Sequence, residues 1–310
     1  MDWVYWLPLI WGAVLITAVF MYVVLDGFDL GLGILFRAAP SDRDRDVMMN
    51  SIAPFWDGNE TWLVLGGGGL FAAFPMAFGI IMPALYIPVT LMLIALIFRG
   101  VAFEFRFKSE PQQRFWWDLA FMGGSISAAF AQGLILGGLV QGITVEGRSF
   151  AGGPWDWLSA FSIVTGLALV AGYALLGSCW LIMKCEGELQ QWAFRLAKYL
   201  LIVVLFFMAA VSIWMPVLHS DLNIIGAGFN AYMQSQIFQR WFSAPNIYFL
   251  APVPLAVLGL ALYMLYALEQ KREYSPFITT VALFALGFAG LAVSLWPTIV
   301  PPKIDIWQAA

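Results

Sequence analysis

Apolar residues along this chain run in long unbroken stretches, without the one-sided helical stripes or strict alternation of a water-soluble domain. Eight stretches stand out, at roughly 7–35, 55–74, 80–105, 116–141, 157–184, 195–215, 246–268 and 277–297. Each is near the ~20 residues that a helix needs to cross a bilayer. The pattern predicts an all-α integral membrane protein, a polytopic bundle of eight transmembrane helices, with residues 1–310 as a single transmembrane domain. The first stretch is the longest and should tilt or protrude. Trp and Tyr gather near the ends of the stretches, as in an interfacial belt. Pro75 and Pro83 punctuate a very short link between the second and third. The only long connection, 216–245, reads as an extramembrane loop. Its amphiphilic middle, with Phe238, Trp241 and Phe242, suits a short interfacial helix. No cleavable signal is evident, because Trp3, Trp6 and Trp11 lead straight into the first stretch without a positive region.

Charge then orients the bundle. Only 11% of residues are charged and 62% are hydrophobic, against about a quarter and a half in a soluble domain. When the loops are numbered alternately, one side holds eleven basic residues: Arg37, Arg43, Arg45, Arg106, Lys108, Arg114, Lys184, Arg195, Lys198, Lys271 and Arg272. The other holds Arg148, Arg240 and Lys303. The positive-inside rule puts the first group in the cytoplasm, and the N-terminus and the 216–245 loop on the periplasmic side. No basic tract suits nucleic acid. Cys179 and Cys185 form neither a CxxC nor a Cys/His cluster and read as apolar filler near a helix end.

Several charges sit where a membrane helix should have none. The first span ends in "VLDGFDLGLG", with Asp26 and Asp29; the second opens with "WDGNE"; the third ends in "FRGVAFEFRF", with Arg99, Glu104 and Arg106. A charged side chain facing lipid at a helix centre costs about 2.5–3.5 kcal/mol. Both acidic pairs, Asp26/Asp29 and Asp57/Glu60, are spaced i, i+3 and share a helix face. Three consecutive helices are therefore expected to turn one polar cluster inward. Arg99 has no acid one turn away, so its partner should come from another span, with Asp29 or Asp57 as candidates. Glu104 can pair with Lys108, and Arg106 with Glu110, as ordinary i, i+4 pairs. Plainer readings stand beside this one. Asp57 and Glu60 also fit a capping box, Asp26 and Asp29 could be solvated on a protruding helix, and Arg99 could snorkel. The glycines at 66–69 read as a close-packing surface. Gln132 and Gln141 read as interhelical hydrogen-bond partners.

The chain has one histidine, His219, in the predicted outer loop. It shows no catalytic triad, nucleotide loop or metal site, and a transmembrane haem usually wants an intramembrane histidine. On these grounds the chain is either a proton- or cation-coupled transporter subunit, or a non-catalytic partner that supplies a proton path to an enzyme.

"LDGFDLGLG" (25–33), "PFWDGNETWL" (54–63), "FRGVAFEFR" (98–106) and the closing "LWPTIVPPKIDIWQAA" together resemble the signature segments of subunit II of cytochrome bd-type quinol oxidases, a family that includes cyanide-insensitive members. The resemblance covers essentially the whole chain. It implies a bacterial inner-membrane, multi-pass subunit of a terminal oxidase that oxidises quinol outside and reduces oxygen to water. Protons for that reaction are drawn from the cytoplasm. It implies no catalytic residue, metal or haem in this chain. The b and d haems belong to subunit I, the pseudosymmetric partner whose assembly subunit II supports. Some members also hold a structural quinone in subunit II, and small accessory subunits are compatible with the complex. The aspartate of the WDGNE motif is implicated in a proton route, a role that falls on Asp57. Glu60, Asp26 and Asp29 join it as supporting members, with Arg99 and Glu104 as charge partners and Trp56, Asn59 and Trp62 as motif support. The family usually has nine membrane helices, the last after "IWQAA", where this sequence stops at Ala310 after eight.

Overall fold

Helix α1 (Trp3–Leu35) runs for 33 residues, about 50 Å at 1.5 Å per residue, well beyond the ~30 Å hydrocarbon layer. It opens the computed structural model, which describes residues 2–218, 239, 242–244, 247–248 and 251–310. After a 3₁₀ turn come α2 (Asp42–Ile52), α3 (Trp56–Ala73), α4 (Pro75–Ala84), α5 (Tyr86–Lys108) and α6 (Pro111–Val140). Then follow α7 (Ala160–Lys184), α8 (Gly187–Trp214), α9 (Pro252–Glu269) and α10 (Ser275–Leu295). Among the described residues, seven helices are long and apolar enough to cross a membrane: α1 and α5 to α10. The remaining predicted span, 55–74, is α3. Asp57, Asn59 and Glu60 in its first turns and the four glycines after them hold its mean hydropathy below that of the others.

The predicted link between the second and third spans is itself helical. Pro75 occupies a first-turn position of α4, where a missing N–H costs nothing. Pro83 lies one residue from that helix's end. Consequently α5 begins at Tyr86, not near residue 80. Helix α2 is a second departure. It is too polar to read as a span, and it is capped by Ser41, whose hydroxyl accepts the Asp44 N–H at 3.1 Å. Met48, Met49 and Ile52 are its buried side.

Helix α1 organises the bundle. It lies along α3, α6 and α7, while α5 packs on α6, α7 on α8 and α10, and α9 on α10. Gly31 and Gly177 set the α1–α7 crossing. A Cβ on Gly31 would fall on the Tyr173 carbonyl, and one on Gly177 on the Gly31 backbone, so these helices touch main chain to main chain. The 66–69 glycines serve half of their expected purpose: Gly66 and Gly69 face Val19 and Leu15 of α1, whereas Gly67 and Gly68 face open space.

Four short strands were not foreseen, since two or three residues carry no readable period. β1 (Val145–Glu146) pairs antiparallel with β2 (Ser149–Phe150) between α6 and α7. β3 (Thr298–Val300) pairs with β4 (Ile304–Asp305) and leads into α11 (Ile306–Ala309). This end folds back on the start of the chain. Trp307 Nε1 donates to the Tyr5 carbonyl at 3.1 Å, and the two rings stack 5.4 Å apart. Most of the predicted 216–245 loop, including His219, Phe238 and Trp241, lies outside the described residues.

Candidate functional site

Arg99 sits on α5 where that helix crosses α6. Gly124 makes the crossing possible, because a Cβ there would come within 2.8 Å of the Ala95 carbonyl and 3.0 Å of the Arg99 nitrogen. The side chain is 1% exposed. An unpaired buried ion carries a penalty of several kcal/mol, so a guanidinium in this position demands partners. Glu60 of α3 supplies the closest, with Oε1 2.7 Å from Arg99 Nη1. Asp26 of α1 places Oδ1 3.3 Å from the same nitrogen, and Asp29 Oδ2 lies 4.0 Å from Nη2. The i, i+3 spacing on α1 thus aims both aspartates at one cation. Asn59 completes the ring: its Nδ2 donates to Asp29 Oδ2 at 2.7 Å and to the Leu25 carbonyl at 3.3 Å.

The polar region continues past Asp26 into the bundle. Tyr22 lies one turn earlier on α1 and accepts a hydrogen bond from Gln132 Nε2 of α6 at 2.8 Å. Gln132 Oε1 in turn accepts one from the Tyr173 hydroxyl of α7 at 2.7 Å. The interhelical role expected of Gln132 is therefore real. Gln141, at the end of α6, instead donates to the Asp156 carbonyl at 2.6 Å and accepts from Ser159, the residue that caps α7.

Several expectations need correction. Asp57 does not face Arg99; it is exposed in the first turn of α3. The capping box is absent too, for the N-cap is Phe55 and makes no side-chain cap. Asp57 consequently lies inside the helix, and the Glu60 side chain is given to Arg99. Arg106 does not pair with Glu110, because α5 ends at Lys108 and Glu110 already stands in extended backbone at the start of α6. Arg106 is 1% exposed and is bound by Asp118 of α6 and Asp46 of α2. Arg45 Nε lies 3.1 Å from Asp118 Oδ2 as well. The pairing of Glu104 with Lys108 holds at 3.8 Å, on the exposed side of α5, so Glu104 is no member of the Arg99 cluster. Of the motif tryptophans, Trp56 lies against Phe103 with the rings tilted by 34° and their centroids 5.0 Å apart, and it covers Gly100 of α5. Trp62 is half-buried on α3.

Sequence reasoning missed Tyr22, Tyr173 and the whole Arg106–Asp118 pair. A tyrosine one turn from a buried aspartate, and an aspartate within "FWWDLAF", were the available signals. Among the described residues no cluster of histidine, cysteine and carboxylate side chains has the make-up of a metal site.

Comparison with known proteins agrees with this picture. The family profile for cytochrome bd terminal oxidase subunit II matches residues 7–310. Subunit 2 of the cytochrome bd-I ubiquinol oxidase of Escherichia coli strain K12 is 33% identical over 215 residues, 67% of this chain and 57% of the relative. The chain thus spans little more than half of that relative's length. Subunit 2 of the cytochrome bd ubiquinol oxidase of Bacillus subtilis is 30% identical over 295 residues, 93% of this chain and 80% of the relative. The solved structure of the bd oxidase from Geobacillus thermodenitrificans shares the fold, with a TM-score of 0.75 at 16% identity over 97% of this chain and 88% of that one. The buried carboxylates of α1 and α3, gathered on the α5 arginine, are thus the arrangement of "LDGFDLGLG", "WDGNE" and "FRGVAFEFR" in a chain that belongs to the cytochrome bd terminal oxidase subunit II family.

Proposed function

We propose that this chain is the non-haem subunit of a membrane-bound quinol oxidase, and that the Arg99 cluster is part of a proton route from the cytoplasm toward a haem-bearing partner. The observation that carries this reading is a graded series of carboxylates entering the membrane part of the fold. Asp57 is exposed, Glu60 is 28% exposed, and Asp26 and Asp29 are at 1% and 0%. Asp57 and Glu60 are one helical turn apart. Glu60 and Asp26 reach the same guanidinium nitrogen. Carboxylates at decreasing exposure around a fixed cation are a physical means of moving protons into a low-dielectric interior without stranding charge.

The donor chemistry supports placing haem in the partner. Haem iron is held by His, Cys, Met or Tyr, and the chain's one histidine, His219, lies outside the described residues. The buried Tyr22 and Tyr173 hydroxyls are engaged with Gln132, and the Cys179 thiol is 3.4 Å from the Thr280 hydroxyl. The eleven-to-three division of basic residues supports a periplasmic N-terminus in a bacterial inner membrane.

Purification tests the reading. The chain should come out with a larger partner whose absorption spectrum shows haem, and the complex should consume oxygen when given quinol. A stable, haem-free chain that moves ions in liposomes would establish the transporter alternative instead. Within the complex, Asp57→Asn should slow turnover less than Glu60→Gln, since water can bypass an exposed group. Unimpaired turnover and unchanged proton uptake in Asp57→Asn would remove Asp57 from the route.

A further inference from the structure

We propose that Asp26 and Asp29 are the proton store of the cluster: each keeps its carboxyl proton at neutral pH, and Glu60 alone is the ionised partner of Arg99. This rests on the proton-route reading and assigns its parts. The first argument is charge counting. The groups facing the cluster are Tyr22, Asp26 and Asp29 from α1, Asp57, Asn59 and Glu60 from α3, Arg99 from α5, Gln132 from α6 and Tyr173 from α7. Asp57 is exposed, so its charge is met by solvent. Arg99 is the only cation in the set, and three carboxyl groups reach toward it. Fully ionised, the three would leave two negative charges without a cation, and burial penalises each of them. Two retained protons remove both.

The second argument concerns which two groups hold those protons. Glu60 accepts the hydrogen bond of the guanidinium, Nη1 to Oε1 at 2.7 Å, and its side chain still meets solvent. Both conditions favour its ionised form. Asp26 and Asp29 are cut off from solvent. Asp26 stands 3.3 Å from the same nitrogen without the angle of a hydrogen bond, and among the described residues neither of its oxygens receives one. An ionised carboxylate is acceptor-only, with about four lone-pair sites to satisfy, so a bare and buried one is the form that a low-dielectric interior tolerates least. Asp29 lies 4.0 Å from the guanidinium. Asn59, whose amide nitrogen is turned toward α1 by the Leu25 carbonyl, donates to Asp29 Oδ2, and Asp29 Oδ1 has no partner among the described residues. That is the pattern of a neutral acid, with Oδ2 as the carbonyl oxygen and the proton on Oδ1. The cluster therefore rests loaded, with two protons at its buried end and an ionised Glu60 at its exposed end to receive the next. Only O–H bonds are made and broken as a proton passes.

Infrared spectroscopy of the purified complex at neutral pH, with carboxyl-¹³C aspartate in one sample and carboxyl-¹³C glutamate in another, reads this directly. The protonated-carboxyl stretching band should shift with labelled aspartate. Asp26→Asn and Asp29→Asn should each remove one component of that shifted band, and the amide copies the neutral acid in shape and charge. Where an amide variant does not assemble, Asp26→Glu or Asp29→Glu keeps a carboxyl group and should still take its component out of the aspartate-labelled band. Glu60→Gln should leave the glutamate-labelled part of the band as it was. The same variant deprives Arg99 of its anion, so one aspartate should ionise in its place and the aspartate band should fall by one component. The proposal is overturned if the aspartate band is untouched by replacement of either aspartate, or if Glu60→Gln removes a glutamate component. Turnover of the same samples keeps the two claims apart. The predicted bands with full oxygen consumption and proton uptake in both asparagine variants would leave the protons on the aspartates and end the route reading. Missing bands with turnover lost would overturn the assignment and leave the route.

Discussion

Arg99 is the residue on which the buried carboxylates depend. Removing one partner of a buried ion pair generally costs about 3–5 kcal/mol, because the remaining charges are stranded. Arg99→Ala strands three carboxylates that touch α1 and α3. The expected outcome is loss of the folded complex, or a fall in its thermal midpoint well beyond that of a surface arginine such as Arg148→Ala. Arg99→Lys should recover only part of the loss, since one ammonium lacks the two-pronged reach that serves Glu60 and Asp29 together. Cys185 gives a prediction of another kind. It follows α7, it is buried, and that burial pushes its thiol up to about 11. The thiolate is the reactive form, so at pH 8 roughly one thiol in a thousand is reactive. Alkylation of the folded protein, read by mass spectrometry, should be slow at pH 8 and rise about tenfold per pH unit toward 11. Rapid labelling at pH 8 would contradict the burial. At this scale much of the site was legible. Charges inside apolar runs are costly enough to announce themselves, which is why Asp26, Asp29, Glu60 and Arg99 stood out. What spacing along one helix could not reveal was the choice of partner across helices. Asp57 was weighed where Glu60 belongs, and Tyr22 and Tyr173 look like ordinary interfacial or core aromatics until the bundle brings them to Gln132.

Helix α1 and helix α7 meet at Gly31 and Gly177, and α1 and α3 meet at Gly66 and Gly69. Added methyl groups should therefore act unequally. Gly31→Ala drives a Cβ into the main chain of α7, which cannot yield, and should destabilise the complex by about 1–3 kcal/mol or more. Gly67→Ala meets nothing within 4 Å in this chain and should be neutral or stabilising, by up to about 1 kcal/mol. Thermal unfolding of the two variants in detergent decides the matter, and equal effects would contradict the packing. Helix α2 provides the second test. Arg106 binds Asp46 of α2 and Asp118 of α6 at once, and Arg45 of α2 also reaches Asp118. These pairs tie a polar helix to the ends of two membrane spans. A double-mutant cycle on Arg106→Met and Asp118→Leu should show strong coupling: each single change costs about 3–5 kcal/mol and the pair much less than the sum. Additive effects would mean that the buried pair is incidental. The membrane spans were legible as elements because ~20 apolar residues is a long, simple signal. α2 was not, because its two faces are short and its polar residues suggest a loop. The helical nature of Pro75–Ala84 was hidden by two prolines that normally mark a break, one in a first-turn position and one near a helix end, where both are tolerated.

For the whole molecule, the route proposed here begins at Asp57 on the surface, passes Glu60 and reaches the Arg99 ring, from which Tyr22, Gln132 and Tyr173 extend between α1, α6 and α7. Its position matters as much as its chemistry. α3, the most polar of the predicted spans, supplies the exposed end, and the bundle supplies the buried one. The most direct test is quinol-dependent oxygen consumption by the purified complex carrying Glu60→Gln, with the haem spectrum recorded on the same sample. A positioned proton-transfer group contributes about 10²–10⁴ in rate. The account predicts a loss of roughly a hundredfold with the haem spectrum intact, partly restored by Glu60→Asp. A wild-type rate in Glu60→Gln, with normal haem content, would contradict it.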